Sequence, residues 1–450
     1  MGKGMKKPIA LIFGLALAGC TVVGPDYQAP TGDVSSRFVG GGSSALIDAA
    51  QVAWWKNLRE PLLNELVATG LAQNLDIAAS LARIEQARAQ LGQRGVNSQV
   101  SGGIGAQAIR SDNGSTTQQT NSATADASYV FDLFGGVRRG VEQGNAVLGQ
   151  AEFNAATVRL GFLAELVSAY LQARFFQNSS EISRQTLASQ GRTAELVQFR
   201  INAGDATQLE LQQARQLVDR TRADLPLLQA NFEANVFRMA TLLAQPAGPL
   251  LKRMQRGAGL PSPRGLGKAG VPADLIRNRP DVRAAERSLA AATAGIGIAE
   301  AQLYPSLVIS GSIAASTQTS WNFGPSISLP VLNRGILQAQ RKEAISVAKQ
   351  AEIEWRNTVL TATEDVQSSL SLTRGLASQI AAFRQVSDAS QRLVSLTRSS
   401  YEGGASPITD VLDAEQALSN ARLSLLASRR DFALSWVELQ IATGKGWLSR

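Results

Sequence analysis

Residues 123–133 read ATADASYVFDL, and an apolar side chain occupies every odd position of this stretch. The even positions carry threonine, aspartate and serine, apart from Val130. Alternation with a period of two predicts a β-strand with one apolar and one polar face. A length of about ten residues is typical of a strand that crosses a bilayer at a tilt. The stretch therefore predicts a strand between lipid and water, although a soluble, half-buried sheet would show the same alternation.

Three further stretches predict partner strands for this one. Residues 307–316 and 321–329 alternate in the same way, and residues 101–110 do so more weakly. Asp112-Asn113-Gly114 follows the weaker stretch and is a signal for a tight turn. Together these patterns predict two β-hairpins, at about residues 101–133 and 306–330.

Four strands are too few to close a barrel. Lipid tolerates no open sheet edge, because each unpaired backbone group there costs several kcal/mol. Several copies of the chain must therefore share one barrel. Three copies would supply about twelve strands, a number that leaves room for a water-filled lumen. The closure argument predicts a homotrimer.

The chain also contains an internal repeat with a spacing of about 200 residues, far longer than a solenoid unit. Gly204 aligns with Gly404, and further identities follow at the same spacing: Ala214 with Ala414, Gln216 with Gln416, Arg222 with Arg422, Leu225 with Leu425, and Phe232 with Phe432. Helix-compatible sequence follows each hairpin and would extend on the order of 100 Å. The sequence of each repeat thus predicts a β-hairpin followed by an antiparallel helical hairpin. The two helical hairpins are expected to turn near Gly204 and Gly404.

These features predict six regions along the chain. They are a lipoprotein signal peptide (1–19), a lipidated N-terminal segment (20–60), repeat 1 (61–245), an inter-repeat linker (246–272), which the family resemblance given below implies to be equatorial, repeat 2 (273–443) and a short C-terminal tail (444–450).

The N-terminus predicts the compartment. Three lysines precede the apolar run at residues 9–18, which is too short to span a bilayer and is typical of a secretory signal. Leu17-Ala18-Gly19-Cys20 resembles a bacterial lipobox, so we expect cleavage before Cys20 and attachment of lipid to that residue. A simple cleavable signal with a chance cysteine is the alternative. Thr21 rather than aspartate follows, which implies sorting to the outer membrane.

Composition excludes several kinds of chemistry. The chain has no histidine, so catalytic Ser-His-Asp and Cys-His arrangements are excluded. Gly295-Ile296-Gly297 does not follow a predicted strand and is no nucleotide site. The formal charge of +8 is dispersed, without the basic face of a nucleic-acid-binding protein. We predict no enzyme activity, no metal and no cofactor other than the lipid on Cys20.

Six short motifs resemble those of the outer-membrane efflux family. They are residues 23–27 (VGPDY), 54–55 (WW), 131–135 (FDLFG), 279–286 (RPDVRAAE), 304–307 (YPSL) and 444–447 (GKGW). The similarity is to TolC-like channel-tunnels, specifically to the NodT-type lipoprotein branch that works with RND pumps. It implies an α+β membrane fold, in which a trimeric twelve-stranded transmembrane β-barrel is continued by a long periplasmic α-helical coiled-coil barrel.

The resemblance implies a function as well. The protein would be the outer-membrane channel of a tripartite efflux system, in contact with a periplasmic adaptor and an inner-membrane RND pump. It would passively conduct drugs or other toxic small molecules to the exterior and so contribute to antibiotic resistance. An exit duct for type I protein secretion is the main alternative. A coiled-coil lipoprotein scaffold without a channel and a periplasmic enzyme are the others.

By the same resemblance, the periplasmic helical tips form the gate. Motif matching places Thr409, Asp413 and Gln416 toward the bore and Tyr401 in the contacts between helices. Related proteins often carry a hydrophobic residue at the position of Thr409 and an arginine at that of Gln416.

Other tip residues have separate predicted roles. Asp410 and Asp413 would form acidic rings that favour cations, or would merely offset a helix dipole. Ser406-Pro407 predicts a helix start with a serine cap. The tip turns would be formed by Gly204, Asp205, Gly403 and Gly404.

Overall fold

A computed structural model describes residues 22–31, 36–39, 48–95, 99–265 and 269–448. The chain divides into two compact units. The first unit holds the described residues of Met1–Asp33, Ser80–Ala155 and Pro280–Leu360, and the second holds those of Val34–Ala79, Ala156–Arg279 and Thr361–Arg450.

Helices account for most of the described chain. Short 3-10 turns at Ala49–Gln51 and Trp54–Leu58 come first. The α-helices that follow are α1 (Pro61–Gln73), α2 (Leu75–Arg94), α3 (Gly136–Ala203), α4 (Gln208–Leu242), α5 (Ala247–Met254), α6 (Ala273–Asn278), α7 (Pro280–Ala301), α8 (Arg334–Glu402) and α9 (Ile408–Ala442).

Helices α3 and α8 are much longer than the others. They contain 68 and 69 residues, so each extends for about 100 Å. Each is followed by a returning helix of 35 residues, α4 or α9. Among the described residues, no helix combines the length and the mean hydropathy that crossing a bilayer requires.

The first unit contains a four-stranded sheet. Its strands are β1 (Val100–Asp112), β2 (Thr117–Phe131), β3 (Ser306–Ala315) and β4 (Thr319–Ser328), paired antiparallel in the order β1-β2-β3-β4. The strands lie where the alternating stretches predicted two hairpins, although each hairpin ends two residues before the predicted limit. Within the described chain, β1 and β4 are the two edges of the sheet.

The predicted turn between β1 and β2 is confirmed. Gly114 has a φ of +83°, a backbone conformation that glycine adopts without steric cost. The Asn113 side chain accepts hydrogen bonds from the backbone N–H groups of Ser115 and Thr116, at 3.1 and 2.9 Å. The turn therefore satisfies its own backbone donors, as an Asx-type turn does.

The register of the sheet aligns apolar residues in a row across all four strands. Ile104 lies opposite Ala125, Ala125 opposite Ile313, and Ile313 opposite Trp321. These side chains are not covered by the chain itself, since Ile104 is 90% exposed and Trp321 is 77% exposed. Opposed residues of an antiparallel pair project from the same face. One face of the sheet therefore presents apolar surface of the kind that marks a lipid or protein contact.

The N-terminal motif at residues 23–27 packs within the first unit around Arg139. The side chain of Arg139 is only 3% exposed, and it forms ion pairs with Asp26 at 2.8 Å and Glu142 at 2.7 Å. Its guanidinium also donates to the carbonyl oxygens of Val23 and Gly24 at 3.1 and 3.0 Å. A buried guanidinium is stable only when its donors are satisfied, and this segment satisfies them.

Two glycines allow that packing. A Cβ on Gly24 would lie 2.5 Å from the Cα of Gly297, and one on Gly297 would lie 2.7 Å from Cγ of Arg139. The Gly295-Ile296-Gly297 sequence looks like part of a phosphate loop but lies within helix α7. The absence of a side chain at Gly297 allows the N-terminal segment to pack closely against this helix.

The core of the second unit surrounds two tryptophans. Trp54 and Trp436 are fully buried, and their ring centroids lie 5.9 Å apart in an edge-to-face arrangement. The C-terminal motif closes this core, because Trp447 Nε1 donates to the carbonyl of Asn278 at 2.9 Å. Lys445 is also buried, and its Nζ donates to Gln440 Oε1 at 2.9 Å.

The first part of the inter-repeat linker packs against the core of the second unit. This part forms helix α5, and Leu250 and Met254 of this helix are buried in the core of the second unit. Arg174 of α3 donates to the carbonyl groups of Met254 and Arg256 at 3.2 and 3.0 Å. The bond to Met254 satisfies a carbonyl that the helix C-terminus leaves without an intrahelical partner.

Candidate functional site

The two helical tips of the second unit turn through glycine in the same way. Gly204 has a φ of +85° and Gly404 a φ of +74°, as predicted for turn glycines. Asp205 N donates to the Arg200 carbonyl and Ala405 N donates to the Ser400 carbonyl, both at 2.8 Å. This pairing after a left-handed residue is typical of a Schellman C-cap.

The returning helices begin differently at the two tips. At the first tip, Thr207 Oγ1 accepts from Glu210 N at 3.3 Å, and the Glu210 carboxylate accepts from Thr207 N at 2.6 Å. This capping box is readable in the sequence as Thr-x-x-Glu, but the sequence analysis missed it. At the second tip the predicted serine cap is wrong. Pro407 occupies the N-cap position without a side-chain cap, and within the described residues the buried hydroxyl of Ser406 has no hydrogen-bond partner.

Gly403 completes the second turn, and its N–H donates to the Ser399 carbonyl at 3.0 Å. Cys20, the predicted lipidation site, lies outside the described residues.

Tyr401 joins four helices at the tips. It is 3% exposed and lies in an apolar cluster with Val197 of α3, Leu211 of α4 and Ile408 of α9. The guanidinium carbon of Arg200 lies 4.6 Å from the Tyr401 ring centroid, and Arg200 Nη1 donates to the Tyr401 carbonyl. Burial raises the pKa of the Tyr401 hydroxyl, so it stays protonated at neutral pH. The expected interhelical role of Tyr401 is present in the structure.

A buried polar network lies on the same helices. The Glu415 side chain is 2% exposed, and its Oε1 accepts from Arg398 Nη2 at 2.5 Å. Two α3 hydroxyls donate to the same oxygen, Ser189 at 3.0 Å and Thr193 at 2.9 Å. Sequence reasoning missed this network because its members come from three helices and share no local motif.

An open groove of about 830 Å³ lies between α4 and α9. Its α9 side contains Thr409, Asp413 and Gln416, the three residues that motif matching placed toward the bore, together with Leu412. Their spacing of three and four positions places them on one helix face. Asp410 is exposed but does not line the groove, because consecutive residues of a helix point about 100° apart.

The α4 side of the groove is strongly polar. It contains Gln212, Gln213, Arg215, Gln216, Leu217, Asp219 and Arg220. The sequence analysis identified none of the charged residues in this set. The repeat alignment offers no signal for them, because Arg215 aligns with Glu415 and Arg220 with Asn420.

Among the described residues, no group of three or more histidine, cysteine or acidic side chains is arranged to hold a metal ion. The side chains that line the groove offer solutes charge, amide groups and a hydroxyl group.

Comparison with protein families gives a match over most of the chain. The model described as "Outer membrane efflux protein" matches residues 66–245 and 271–445. These segments include both helical tips and all four strands.

Two named proteins and one solved structure are similar over nearly the whole chain. Nodulation protein T of Rhizobium leguminosarum bv. trifolii is 35% identical over 450 residues, covering 97% of this chain and 96% of that protein. The pyoverdine export outer membrane protein OpmQ of Pseudomonas aeruginosa is 31% identical, covering 92% and 91%. The structure of the outer-membrane channel OprN superposes with a TM-score of 0.85 at 29% identity, covering 94% of this chain and 99% of that one.

Proposed function

Because the chain belongs to the outer membrane efflux protein family, we propose that it is the outer-membrane channel of a tripartite efflux system. Small molecules would enter from an inner-membrane RND pump, bridged by a periplasmic adaptor, and leave to the exterior. The observation that carries the proposal is the four-stranded sheet, whose apolar row is exposed and whose two edges are unpaired within the described part of the chain. Such a sheet is stable in lipid only when its edges are paired.

Closure requires further copies of the chain. In the order β1-β2-β3-β4, the outer strands β1 and β4 run antiparallel to each other. A β4 edge can therefore pair with β1 of the next copy and continue the antiparallel pattern around a ring. Three copies would give about twelve strands around a water-filled lumen. The proposed assembly is a homotrimer.

A lipid anchor on Cys20 fits the packing of the N-terminal segment. Val23 N donates to the carbonyl of Phe134 at 3.1 Å, just after β2 ends. Arg139 holds the next carbonyl groups. The acyl chains would therefore enter the bilayer close to the base of the sheet, and the helices would extend into the periplasm.

Conduction in this proposal is passive. The residues that line the groove between α4 and α9 supply charge and hydrogen bonds to a passing solute. Control would reside at the tips, where Tyr401 and the Arg398–Glu415 network hold the helices together. Separation of these helices on adaptor docking would open the entrance.

The first test is the native mass of the detergent-extracted, lipidated protein, measured by light scattering. We expect about three chains per particle, and single-channel conductance when the particle is placed in a planar bilayer. A Cys20→Ser variant serves as a matched control that lacks the lipid but retains the sheet. A monomeric, non-conducting particle would contradict the proposal.

A second test separates efflux from protein secretion. Deletion of the gene should increase sensitivity to toxic small molecules and leave the set of secreted proteins unchanged. The opposite pattern would favour a type I secretion duct.

A further inference from the structure

The charge of the groove between α4 and α9 differs from what the α9 residues alone suggest. Asp413 is its only charged residue from α9. The α4 face adds Arg215, Asp219 and Arg220, all exposed. The groove is therefore not an acidic site. Its preference for cations or anions depends on the charges of both helices, and not on Asp413 alone.

The α4 residues share one helix face. Gln212, Arg215, Gln216, Asp219 and Arg220 follow one another at spacings that bring side chains into line. Both arginines therefore project into the same space as Asp413. Within the described part of the chain, neither Arg215 nor Arg220 has an ion-pair partner.

Asp219, in contrast, is already paired. Its Oδ1 lies 2.8 Å from Arg222 Nη1 on the same helix, outside the groove lining. Because Arg222 neutralises the Asp219 carboxylate, the lining charges without an ion-pair partner among the described residues are the two guanidinium groups of Arg215 and Arg220 and the carboxylate of Asp413. The four charged side chains of the lining sum to zero, but two of them are guanidinium groups that are available to a solute.

We infer that this groove favours anionic solutes, and that Arg215 and Arg220 determine that preference. The inference rests on the proposed function, because it concerns what passes the tip of a channel. A planar guanidinium donates two parallel hydrogen bonds to a carboxylate or phosphate group. Two such groups beside a row of glutamine amides form an entrance suited to small organic carboxylates. A threefold ring would repeat these unpaired guanidinium groups around the axis and raise the anion concentration beside them.

The experiment is a reversal-potential measurement in planar bilayers with a potassium chloride gradient. We expect the wild-type channel to pass chloride in preference to potassium. Joint substitution Arg215→Gln and Arg220→Gln should lower the chloride-to-potassium permeability ratio by about twofold or more, because two positive charges per copy are removed.

Two controls isolate the charge effect. Arg192→Gln removes an exposed arginine of α3 at a similar distance from the tip, outside the groove, and should leave the ratio unchanged. The pair Arg215→Lys and Arg220→Lys keeps the charge and should retain the preference for chloride.

The outcomes are distinct for the two proposals. A conducting wild-type channel that prefers potassium, or a ratio that the glutamine pair does not lower, would overturn this inference and leave the efflux channel standing. A protein that forms no conducting particle would overturn both.

Discussion

Arg398 and Glu415 form a partly buried ion pair between α8 and α9, with 2.5 Å between Nη2 and Oε1. The hydroxyls of Ser189 and Thr193 on α3 donate to the same carboxylate oxygen. A single carboxylate therefore ties three helices together behind the tips. Such a group is costly to leave without its counter-charge, because desolvation has already removed its water.

Replacing one partner of this pair should destabilise the helical tips. Arg398→Ala leaves the Glu415 carboxylate buried without its guanidinium, and we expect a loss of about 3–5 kcal/mol in the free energy of unfolding. The measurement is thermal or denaturant unfolding in detergent, followed by circular dichroism. Arg192→Ala, at an exposed site on α3, is the matched control and should change stability by less than about 0.5 kcal/mol. Equal effects of the two variants would contradict the assigned role.

Gly444→Ala should destabilise the second unit through its backbone. Gly444 has a φ of +69°, and a Cβ there would lie 2.6 Å from the carbonyl oxygen of Asn278. Neither the conformation nor the contact can be relieved by a side-chain rotation, so we expect a loss of about 1–3 kcal/mol. Gly161→Ala is the control, since a Cβ at this helical position meets nothing within 4 Å. The unfolding midpoints of the two variants should shift in opposite directions, because alanine favours a helix.

Lys445 should make stability depend on pH in the alkaline range. Burial lowers the pKa of its ammonium group from 10.5 to about 8. Between these two values the unfolded chain binds more protons than the folded one, so stability rises as pH increases from about 8 to 10.5. The rise should be roughly 1–3 kcal/mol. Unfolding measured across this range should show the rise in the wild type and not in Lys445→Met.

The control for this titration is Lys56→Met, which removes an exposed lysine. It should keep the wild-type rise. A Lys445→Met variant whose stability rises as steeply as that of the wild type would show that other groups are responsible.

Asp413 and Asp410 should affect ion selectivity unequally. Asp413 lines the groove and Asp410 does not, although both are exposed acids of the same helical turn. Asp413→Asn should raise the chloride-to-potassium permeability ratio by about twofold, because it removes the only α9 charge in the groove. Asp410→Asn should have a clearly smaller effect on the same reversal-potential measurement. A larger effect of Asp410→Asn would contradict the assignment of ion selectivity to the groove between α4 and α9.

The apolar row across the sheet can be tested by charge insertion. Ile313 lies in the row, whereas Ser310 projects from the opposite face of β3. Lysine on a lipid-facing strand position costs about 2–4 kcal/mol near the middle of the bilayer. Ile313→Lys should therefore reduce the amount of protein recovered in the outer membrane, and Ser310→Lys should not. Equal recovery of both variants would argue that this face contacts protein instead of lipid.

The strands and the tip turns could be predicted from sequence because their signals are local. A period-two alternation such as that of residues 123–133 needs no knowledge of distant partners, and a repeated glycine such as Gly204 marks its own turn. The Thr207 capping box was equally local and was overlooked.

The contacts that join different helices could not be predicted in this way. Glu415 looks like any helical acid until packing places Arg398 beside it. Arg215 and Arg220 became groove residues only when α4 was seen to lie along α9. Side-chain neighbours of this kind depend on how the helices pack. The residues involved are far apart in the sequence and share no regular spacing.

The two free edges of the sheet have a genetic consequence. If β4 of one copy joins β1 of the next, as proposed, the interface would be head-to-tail and each copy would use two different surfaces. A subunit whose β1 edge can pair but whose β4 edge cannot would enter a ring and prevent its closure. Expressed in equal amounts with the wild type, it would leave only about one in eight three-copy rings intact. Such an allele would be dominant-negative. A short peptide that pairs with the β4 edge could block assembly in the same way.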